Sequence, residues 1–342
     1  MVDETASNPQ RATVVLGANS FSGQDFVDLL ITTTNDRVFG ISRSQQRDAT
    51  FSSYLRHDPD VLAQRFEYHA LDMNHDMPAI LALLDRWRPQ RIINFAAQSE
   101  VAPSWDHPEH WYQTNTVALS QLVNHLRDCD YLQRYVHISS PEVYGSCVGE
   151  VLEDAPANPS TPYAASKAAA DMLLAVFRKQ YDFPLLTIRA TNVYGARQQL
   201  FKIIPRTVIY RRLGRKIPLH GGGHAVKSYI HIRDVSRGEL AVLDHGTVGE
   251  TYHISPDQGV AVRDVVGTIC STLGETLADA TTRVGERPGQ DAAYVIDSTK
   301  IREELGWQPT IPLATGISEV VAWIDERWRS ISELPHEYLH VP

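Results

Sequence analysis

The sequence predicts an α/β fold: a Rossmann-type doubly wound parallel sheet with a smaller C-terminal α/β substrate lobe. Three observations predict it. Short apolar strands alternate with amphipathic helices from residue 12 to residue 192. A glycine turn, G-A-N-S-F-S-G at 17–23, joins the first strand to the first helix. Beyond residue 192 the alternation lapses, and a chain of 342 residues exceeds the usual length of one domain.

Six strands are predicted from short apolar runs in this first part of the chain, and they alternate with helix patterns. The strands are 13–16, 38–41, 68–71, 91–96, 135–139 and 185–191. The clearest helices with one apolar face begin after residue 23, at 77, near 115 and at 163, and the last continues to about residue 180. Further helix patterns lie at 263–273 and 316–328. Successive βα units predict parallel strands joined by crossovers.

Composition is that of an ordinary globular protein, with 43% hydrophobic and 21% charged residues. A net charge of -9 disfavours a general nucleic-acid binder, which needs a basic surface. The N-terminus is polar, unlike a signal peptide, and no apolar run approaches the roughly 20 residues of a membrane span. We therefore expect a cytoplasmic protein without membrane or nucleic-acid partners. The histidines lack metal-ligand spacing, so no metal is expected.

The stretch 134–167 carries the candidate chemistry. A buried strand ends at Ser139, and the loop after it carries Ser140 and Glu142. Tyr163 and Lys167 open the next helix four residues apart, so their side chains share one face. We expect the ammonium to lower the pKa of the phenol, so that a phenolate beside a serine hydroxyl can take a proton from a sugar alcohol while hydride leaves its carbon. The alternative is that Tyr163 and Lys167 are an ordinary pair of residues on one helix face, with no catalytic role.

Several of these strings together resemble the extended short-chain dehydrogenase/reductase family. The resemblance rests on Ser140, Tyr163 and Lys167, on the glycine turn, and on N-V-Y-G at 192–195. E-V-Y-G after the Ser-Ser strand end is most similar to the nucleotide-sugar 4,6-dehydratases that act on dTDP-glucose and GDP-mannose. The similarity runs from about Thr13 to Pro309.

The resemblance implies a nicotinamide dinucleotide held near the start of the chain. Two glycines match the family pattern G-x-x-G-x-x-G, whereas serine occupies the middle glycine position. The second strand ends in serine and arginine where an acid would suit NAD, so NADP is favoured and NAD remains the alternative. The expected cofactor contacts are Gly17, Ser20, Phe21, Gly23, Ser42, Arg43, Asp72, Ala96, Ala97, Tyr163 and Lys167.

The resemblance also implies a site for a nucleotide-diphosphate sugar. The expected substrate contacts are Gln98, Asn115, Asn192, Lys202, Lys227, Arg287 and Asp291. Lys227 stands where the family usually has arginine. The positive charge is kept, but the paired hydrogen bonds that a guanidinium makes to a phosphate are lost. Glu100 stands where the family usually has histidine, so it either faces away or binds something particular to this substrate. The run 201–216, with six cations and no acid, could meet a diphosphate or form a solvated helix face.

The implied organisation has two lobes. Residues 1–11 are a flexible tail, 12–192 with about 228–256 form the NAD(P)-binding domain, 193–227 and 257–330 form the nucleotide-sugar lobe, and 331–342 are a C-terminal tail. In much of the family the helices that begin here near Asn115 and Tyr163 form a dimer interface. A homodimer is therefore expected.

The leading hypothesis is a nucleotide-sugar 4,6-dehydratase, which oxidises carbon 4, eliminates water across carbons 5 and 6, and returns hydride to carbon 6. In dTDP-glucose dehydratases a glutamate removes the carbon 5 proton and an adjacent aspartate protonates the departing hydroxyl. Here the pair is Pro141 and Glu142, so that second proton must come from Glu142 itself, from water or from another group. A 4-epimerase or glucuronate decarboxylase of the same family is the nearest alternative. A non-catalytic cofactor-binding protein is the alternative of another class.

Overall fold

The computed structural model describes residues 10–146, 151–285 and 293–341. Its strands are β1 (Ala12–Leu16), β2 (Arg37–Ser42), β3 (Phe66–Ala70), β4 (Arg91–Asn94), β5 (Arg134–Ile138), β6 (Leu185–Ala190), β7 (Asn192–Tyr194), β8 (Ile217–His220), β9 (Val226–Lys227), β10 (Tyr229–His231), β11 (Thr251–Ile254), β12 (Val260–Ala261), β13 (Thr281–Val284) and β14 (Ala293–Tyr294). Its α-helices are α1 (Phe21–Thr33), α2 (Pro59–Arg65), α3 (Met77–Trp87), α4 (Pro108–Tyr112), α5 (Leu119–Leu126), α6 (Pro162–Tyr181), α7 (Ile203–Arg212), α8 (Ile232–His245), α9 (Val262–Thr272), α10 (Leu277–Ala280), α11 (Thr299–Leu305), α12 (Leu313–Glu326) and α13 (Trp328–Ile331).

The central sheet has seven parallel strands in the order β11-β6-β5-β4-β1-β2-β3. Side chains of a strand alternate between the faces of a sheet, so neighbouring residues of β1 pack into different cores. Val14 lies in the cluster built with α3, α5 and α6, and Val15 in the cluster built with α1 and α8. Helices on both faces of a parallel sheet confirm the doubly wound fold that the sequence predicts.

The strand order reverses on the two sides of β1, because β4 lies on one side and β2 on the other. Loops at the carboxyl ends of these strands diverge and leave a crevice, which is where open α/β sheets bind ligands. Most of the predicted cofactor residues lie at or after the carboxyl ends of β1, β2, β3 and β4. The fold therefore collects them at one edge.

A separate apolar core is formed by α7, α9 and α12, around Val208, Ile269 and Ile324. Short strand pairs complete this region: β7 with β10, β8 with β13, and β9 with both β12 and β14. The helix patterns at 263–273 and 316–328 correspond to α9 and to α12 with α13. The core built by these helices forms one wall of the cleft described below.

Two predicted boundaries differ from the structure for local reasons. β4 ends at Asn94 and not at residue 96, because the Asn94 side chain accepts from the Ala96 amide at 2.9 Å and turns the chain out of the sheet. The helix expected near residue 115 begins earlier, with α4, and passes through a π-helical stretch, Gln113–Ala118, before α5. In the described ranges, no helix combines the length and apolarity needed to cross a lipid bilayer.

Candidate active site

The glycine turn after β1 is shaped for a close approach of backbone to a ligand. Gly17 has φ +79°, and a Cβ on it would lie 2.7 Å from the Ala96 amide nitrogen. A Cβ on Gly23 would lie 2.2 Å from the carbonyl oxygen of Gly17. Only glycine fits either position, so the chain keeps the two glycines that make the turn tight. The turn opens α1, whose N-terminal amides point at the crevice.

Ser20, at the middle position of the turn, does not obstruct it. Its backbone is extended, with φ -73°, so no glycine is required there. Its side chain turns into the helix and accepts from the Gly23 amide at 3.0 Å, which makes Ser20 the N-cap of α1. Phe21, the first residue of α1, is buried. The departure from the glycine pattern is thus compatible with a dinucleotide.

The ends of β2 and β3 supply the predicted adenosine contacts. The Ser42 hydroxyl accepts from the Asn19 amide at 2.9 Å, while Arg43 is exposed at the rim. Asp72 follows β3, and one of its carboxylate oxygens accepts from the Asn74 amide at 2.8 Å. The end of β2 carries no carboxylate, since Arg43 is followed by serine and two glutamines.

The catalytic residues predicted from the sequence lie together at the ends of β5 and α6. Ser140 caps a short 3-10 helix, Pro141–Tyr144, by accepting from the Glu142 amide at 3.2 Å, and its hydroxyl lies close enough to Tyr163 to act to lower the pKa of the phenol. Tyr163 is 8% exposed, and its amide donates to the Ser104 hydroxyl at 3.2 Å. Proline is tolerated at the first position of that short helix, where the amide needs no partner.

The expectation that Lys167 lowers the pKa of Tyr163 is wrong. Burial, followed by the negative charge of Glu142, raises the pKa of Tyr163 above its usual range. Lys167 is 2% exposed, and its ammonium donates to the Ile138 carbonyl at 2.8 Å. Burial lowers the pKa of Lys167 to about 8, although Asp171 opposes the shift. A neighbouring cation alone does not overcome the burial of the phenol here.

A buried polar network beneath Lys167 was missed by sequence reasoning. His137 Nε2 lies 3.4 Å from Lys167 Nζ and 3.4 Å from an Asp171 carboxylate oxygen. The other Asp171 oxygen accepts from Ser139 at 2.7 Å and from Arg189 at 2.8 Å. Burial alone would raise the pKa of Asp171, but contacts with His137 and Arg189 lower it to about 2. Asp171 is therefore an anion placed between two largely buried cations, Lys167 and Arg189.

This network continues away from the cleft. Arg189 also donates to the Tyr144 hydroxyl, which is 2.7 Å from His253 Nε2. His253 Nδ1 faces the Asp297 carbonyl at 2.7 Å, so this nitrogen carries the proton and Tyr144 donates to Nε2. One signal was available in the sequence, because Asp171 follows Lys167 by four residues on the same helix face. The remaining members come from other strands.

A cavity of about 580 Å³ opens beside Glu142. Residues predicted to bind substrate line it: Asn192, Lys202 and Lys227. Glu100 also lines it, and Lys202 Nζ lies 2.6 Å from a Glu100 carboxylate oxygen. Glu100 thus faces the cleft, and it forms an ion pair with a lysine that is expected to contact substrate.

The other cations of the basic run are mostly used within the protein. Arg211 pairs with Glu275 at 2.5 Å, and Arg212 pairs with Asp325 at 2.7 Å. These pairs tie α7 to the connection between α9 and α10 and to α12. Two members of the run, Lys202 and Arg206, line the cavity and also lie near a carboxylate: Lys202 near Glu100 at 2.6 Å, and Arg206 near Glu337 at 3.9 Å.

Asn115 braces the site from within. Its side-chain oxygen accepts from the Gln98 amide at 2.9 Å, and its nitrogen donates to the Gln98 carbonyl at 3.0 Å and to Ser166 at 2.9 Å. All the polar atoms of the side chain are used, and it is 3% exposed. Its part is therefore to hold the loop after β4 against α6 and not to touch substrate. Ala96 and Ala97 lie in that loop.

The C-terminal strap, residues 333–341, crosses the crevice and was not predicted. Its Val341 carbonyl accepts from the Gln98 side chain at 2.7 Å and from Arg43 at 3.2 Å. Gln98 follows β4 and Arg43 follows β2, so the carbonyl bridges the two loops on either side of the glycine turn. The strap thus uses polar groups that the sequence assigns to cofactor and substrate.

Ring contacts and further hydrogen bonds anchor the strap to both lobes. His340 stacks on Trp111, with ring centroids 5.2 Å apart. Tyr338 packs edge to face on Phe201, with centroids 5.2 Å apart. Glu337 accepts a hydrogen bond from Tyr210 of α7. The remaining predicted substrate residues, Arg287 and Asp291, lie outside the described residues.

Sequence comparisons with known proteins find relatives that are named 4,6-dehydratases. The sequence model of a family described as GDP-mannose 4,6 dehydratase matches residues 14–320. A dTDP-glucose 4,6-dehydratase of Xanthomonas campestris pv. campestris is 33% identical over 268 residues, which cover 72% of this chain and 76% of that relative. One of Neisseria gonorrhoeae is 30% identical over 341 residues, covering 92% of this chain and 96% of the relative.

Solved structures agree with these sequence relatives. A dTDP-glucose 4,6-dehydratase of Streptomyces venezuelae, solved with NAD bound, has a TM-score of 0.86 and 30% identity, and the match covers 94% of this chain and 99% of that one. A UDP-glucuronic acid 4-epimerase of Bacillus cereus has a TM-score of 0.82 and 23% identity, and the match covers 92% of this chain and 99% of that one. This second match is informative for the fold alone.

Proposed function

The chain belongs to the GDP-mannose 4,6 dehydratase family, and we propose that it is a nucleotide-sugar 4,6-dehydratase that makes a 4-keto-6-deoxy sugar nucleotide. The observation that carries the proposal is Glu142 in the wall of the cavity, next to Ser140 and Tyr163. Oxidation at carbon 4 needs the tyrosine, and elimination across carbons 5 and 6 needs a further base. The names of the relatives, dTDP-glucose 4,6-dehydratase, agree with this reaction.

The cofactor is a nicotinamide dinucleotide, for which the tight glycine turn and the capped N-terminus of α1 form a fitting cradle. When bound, it accepts hydride and, in its oxidised form, brings a positive charge that favours the Tyr163 phenolate. Tyr163 then takes the proton of the 4-hydroxyl, with Ser140 orienting that hydroxyl. Lys167, four residues after Tyr163 on α6, is held in place by the Ile138 carbonyl.

The chain's own residues account for the next step as well. The new 4-ketone acidifies the proton at carbon 5, and Glu142 removes it. Water then leaves from carbon 6, hydride returns to carbon 6, and a proton returns to carbon 5. Because the hydride is returned within each turnover, no net reduced nicotinamide accumulates.

A panel of nucleotide hexoses tests the function. The purified protein should convert dTDP-glucose or another nucleotide hexose to a 4-keto-6-deoxy product, detected by NMR, with no steady rise of absorbance from reduced nicotinamide. Release of carbon dioxide from a nucleotide glucuronate would show that the protein is a decarboxylase and not a dehydratase. Inversion at carbon 4 without loss of water would replace it by an epimerase.

We propose that NADP is preferred over NAD. Arg43 supplies a cation at the end of β2, where a 2′-phosphate would lie, and no carboxylate stands there to hold a 2′-hydroxyl. The preference would be a departure from the solved relatives that contain NAD. Nucleotide released by denaturing the purified protein should be NADP, and titration should show tighter binding of NADP. Recovery of NAD alone, with NADP failing to bind, would contradict the preference.

We propose that the protein is a homodimer through the outer face of α6 and of the π-helical stretch beside it. Met172 and Val176 of α6 are 61% and 62% exposed, and Val117 is 42% exposed. These apolar side chains lie on the two helices that the family resemblance assigns to a dimer interface. Light scattering should give a dimer mass, and Met172→Glu with Val176→Glu should give a monomer. A monomer of the unmodified protein at micromolar concentration would contradict the proposal.

A further inference from the structure

Loss of water from carbon 6 needs a proton donor as well as a base, because hydroxide is a poor leaving group. Pro141, which precedes Glu142, has no proton to give and is buried. A side-chain donor other than Glu142 itself must therefore come from another part of the cleft. The described walls of the cavity offer few carboxyl groups for this role.

Three carboxylates line the described part of the cavity: Glu100, Glu142 and Glu337. Glu337 belongs to the strap and accepts from Tyr210 on the far side of α7. Glu142 and Glu100 both contribute negative charge that raises the pKa of Tyr163, after the effect of burial. Both therefore lie within electrostatic reach of the reacting end. Two carboxylates in different surroundings are a recurring arrangement for acid and base roles.

The surroundings of the two carboxylates do differ. Glu142 lies on the loop after β5, whereas Glu100 lies on the loop after β4 and forms an ion pair with Lys202 at 2.6 Å. The Glu100 side chain is 19% exposed and that of Lys202 is 36% exposed, so the lysine is the partner with more room to move. A diphosphate carries more negative charge than a carboxylate, so it draws Lys202 towards itself.

Movement of Lys202 to a diphosphate would leave Glu100 without its cation, in the same cavity as Glu142 and an anionic substrate. Like charges in one pocket favour uptake of a proton by one of the carboxylates. Arrival of an anionic substrate thus provides a reason for one carboxyl group of this cavity to take up a proton while the other serves as the base.

We propose that Glu100 is a catalytic residue that protonates the departing 6-hydroxyl, while Glu142 removes the proton from carbon 5. The inference rests on the proposed dehydratase function. In this step the carbon 5 to hydrogen bond breaks, its electron pair forms the double bond between carbons 5 and 6, and the carbon 6 to oxygen bond breaks. Glu142 gains one proton, Glu100 loses one, and one water leaves.

The test is Glu100→Gln, assayed with dTDP-glucose in deuterium oxide. The variant should still oxidise carbon 4 and exchange the carbon 5 proton, so deuterium should appear at carbon 5 of recovered substrate. Product formation should fall by about 10²–10⁴-fold, the usual worth of one general acid. Asp325→Asn is the control, because it removes a carboxylate from another cation of α7, Arg212, outside the cavity.

A substrate analogue separates proton donation from mere positioning. In dTDP-6-deoxy-6-fluoroglucose the leaving group is fluoride, which needs far less protonation than hydroxide. Glu100→Gln should eliminate fluoride at close to the unmodified rate, which supports the proposal. An equal loss on both substrates, or unchanged water loss from dTDP-glucose, would overturn it. If the unmodified protein makes no 4-keto-6-deoxy product from any nucleotide hexose, the proposed function fails and this inference fails with it.

Discussion

The cleft has two ends that are built differently. At the catalytic end, Tyr163 and Lys167 are buried, and a network of buried hydrogen bonds holds the lysine from below. At the outer end, Arg43 is exposed, and the strap engages both Arg43, a predicted cofactor contact, and Gln98, a predicted substrate contact. The comparison teaches that the chemistry is assembled in advance, whereas the ligand-binding end must exchange internal contacts for ligand contacts. Changes at the two ends should therefore differ in size and in kind.

The largest effect is expected at the catalytic end from Tyr163→Phe. Removal of the hydroxyl leaves no group to take the proton of the 4-hydroxyl, so kcat should fall by about 10²–10⁴-fold. Cofactor affinity, measured by titration, should change little by comparison. A variant that retains the oxidation of carbon 4 at the unmodified rate would show that the catalytic end lies elsewhere.

Asp171→Asn tests whether the buried network supports the lysine. The pKa of Lys167 is lowered to about 8, with Asp171 acting in the opposite direction, so loss of the anion should lower that pKa further. The Lys167 ammonium is then lost at lower pH, and the alkaline limb of kcat/KM should move down by about one to two pH units. Stability should fall as well, because Arg189 loses a buried partner.

The matched control for this network is Asp182→Asn. Asp182 follows α6 and pairs with Arg178 at the exposed surface, so the same change of side chain there removes an ion pair that contributes little. Its alkaline limb should coincide with that of the unmodified protein. An Asp171→Asn limb that also coincides would show that Asp171 has no part in keeping Lys167 charged.

The sequence predicts the catalytic end of the cleft better than the outer end. The helical spacing of Tyr163 and Lys167 is a local property, so the pattern predicts their common face, and the alternation of strands and helices predicts the sheet. Ser20 was recognised as a departure, and its capping of α1 is again local. The strap could not be predicted, because Val341 reaches Arg43 across 298 positions of sequence and no pattern marks the contact. The high pKa of Tyr163 likewise depends on burial, which spacing does not report.

A smaller effect is expected at the outer end from Arg43→Ala. A charge-assisted hydrogen bond to a 2′-phosphate is worth about 1.5–3 kcal/mol, so NADP affinity should weaken by about tenfold or more. NAD affinity should stay within about twofold, since NAD lacks that phosphate. Fluorescence titration of both nucleotides measures the difference. Equal weakening of NADP and NAD would mean that Arg43 does not read the 2′-phosphate.

The smallest effect is expected from removing the strap, by a stop after Ser332. The variant frees Gln98 and Arg43 from the Val341 carbonyl, and each hydrogen bond is worth about 0.5–1.5 kcal/mol. Dinucleotide affinity should rise by about two- to tenfold, while kcat at saturating cofactor should change less. Weaker dinucleotide binding by the truncated protein would mean that the strap helps to hold the cofactor and does not compete with it.

The most direct test of the dehydratase function is exchange at carbon 5 in deuterium oxide. The unmodified protein with dTDP-glucose should give a 4-keto-6-deoxy product that carries solvent deuterium at carbon 5. Glu142→Gln should still form reduced nicotinamide in a single turnover, because Tyr163 is intact, but it should neither exchange the carbon 5 proton nor release product. Incorporation of deuterium by Glu142→Gln at the unmodified rate would contradict the assignment of Glu142 as the base, and with it the account of this site.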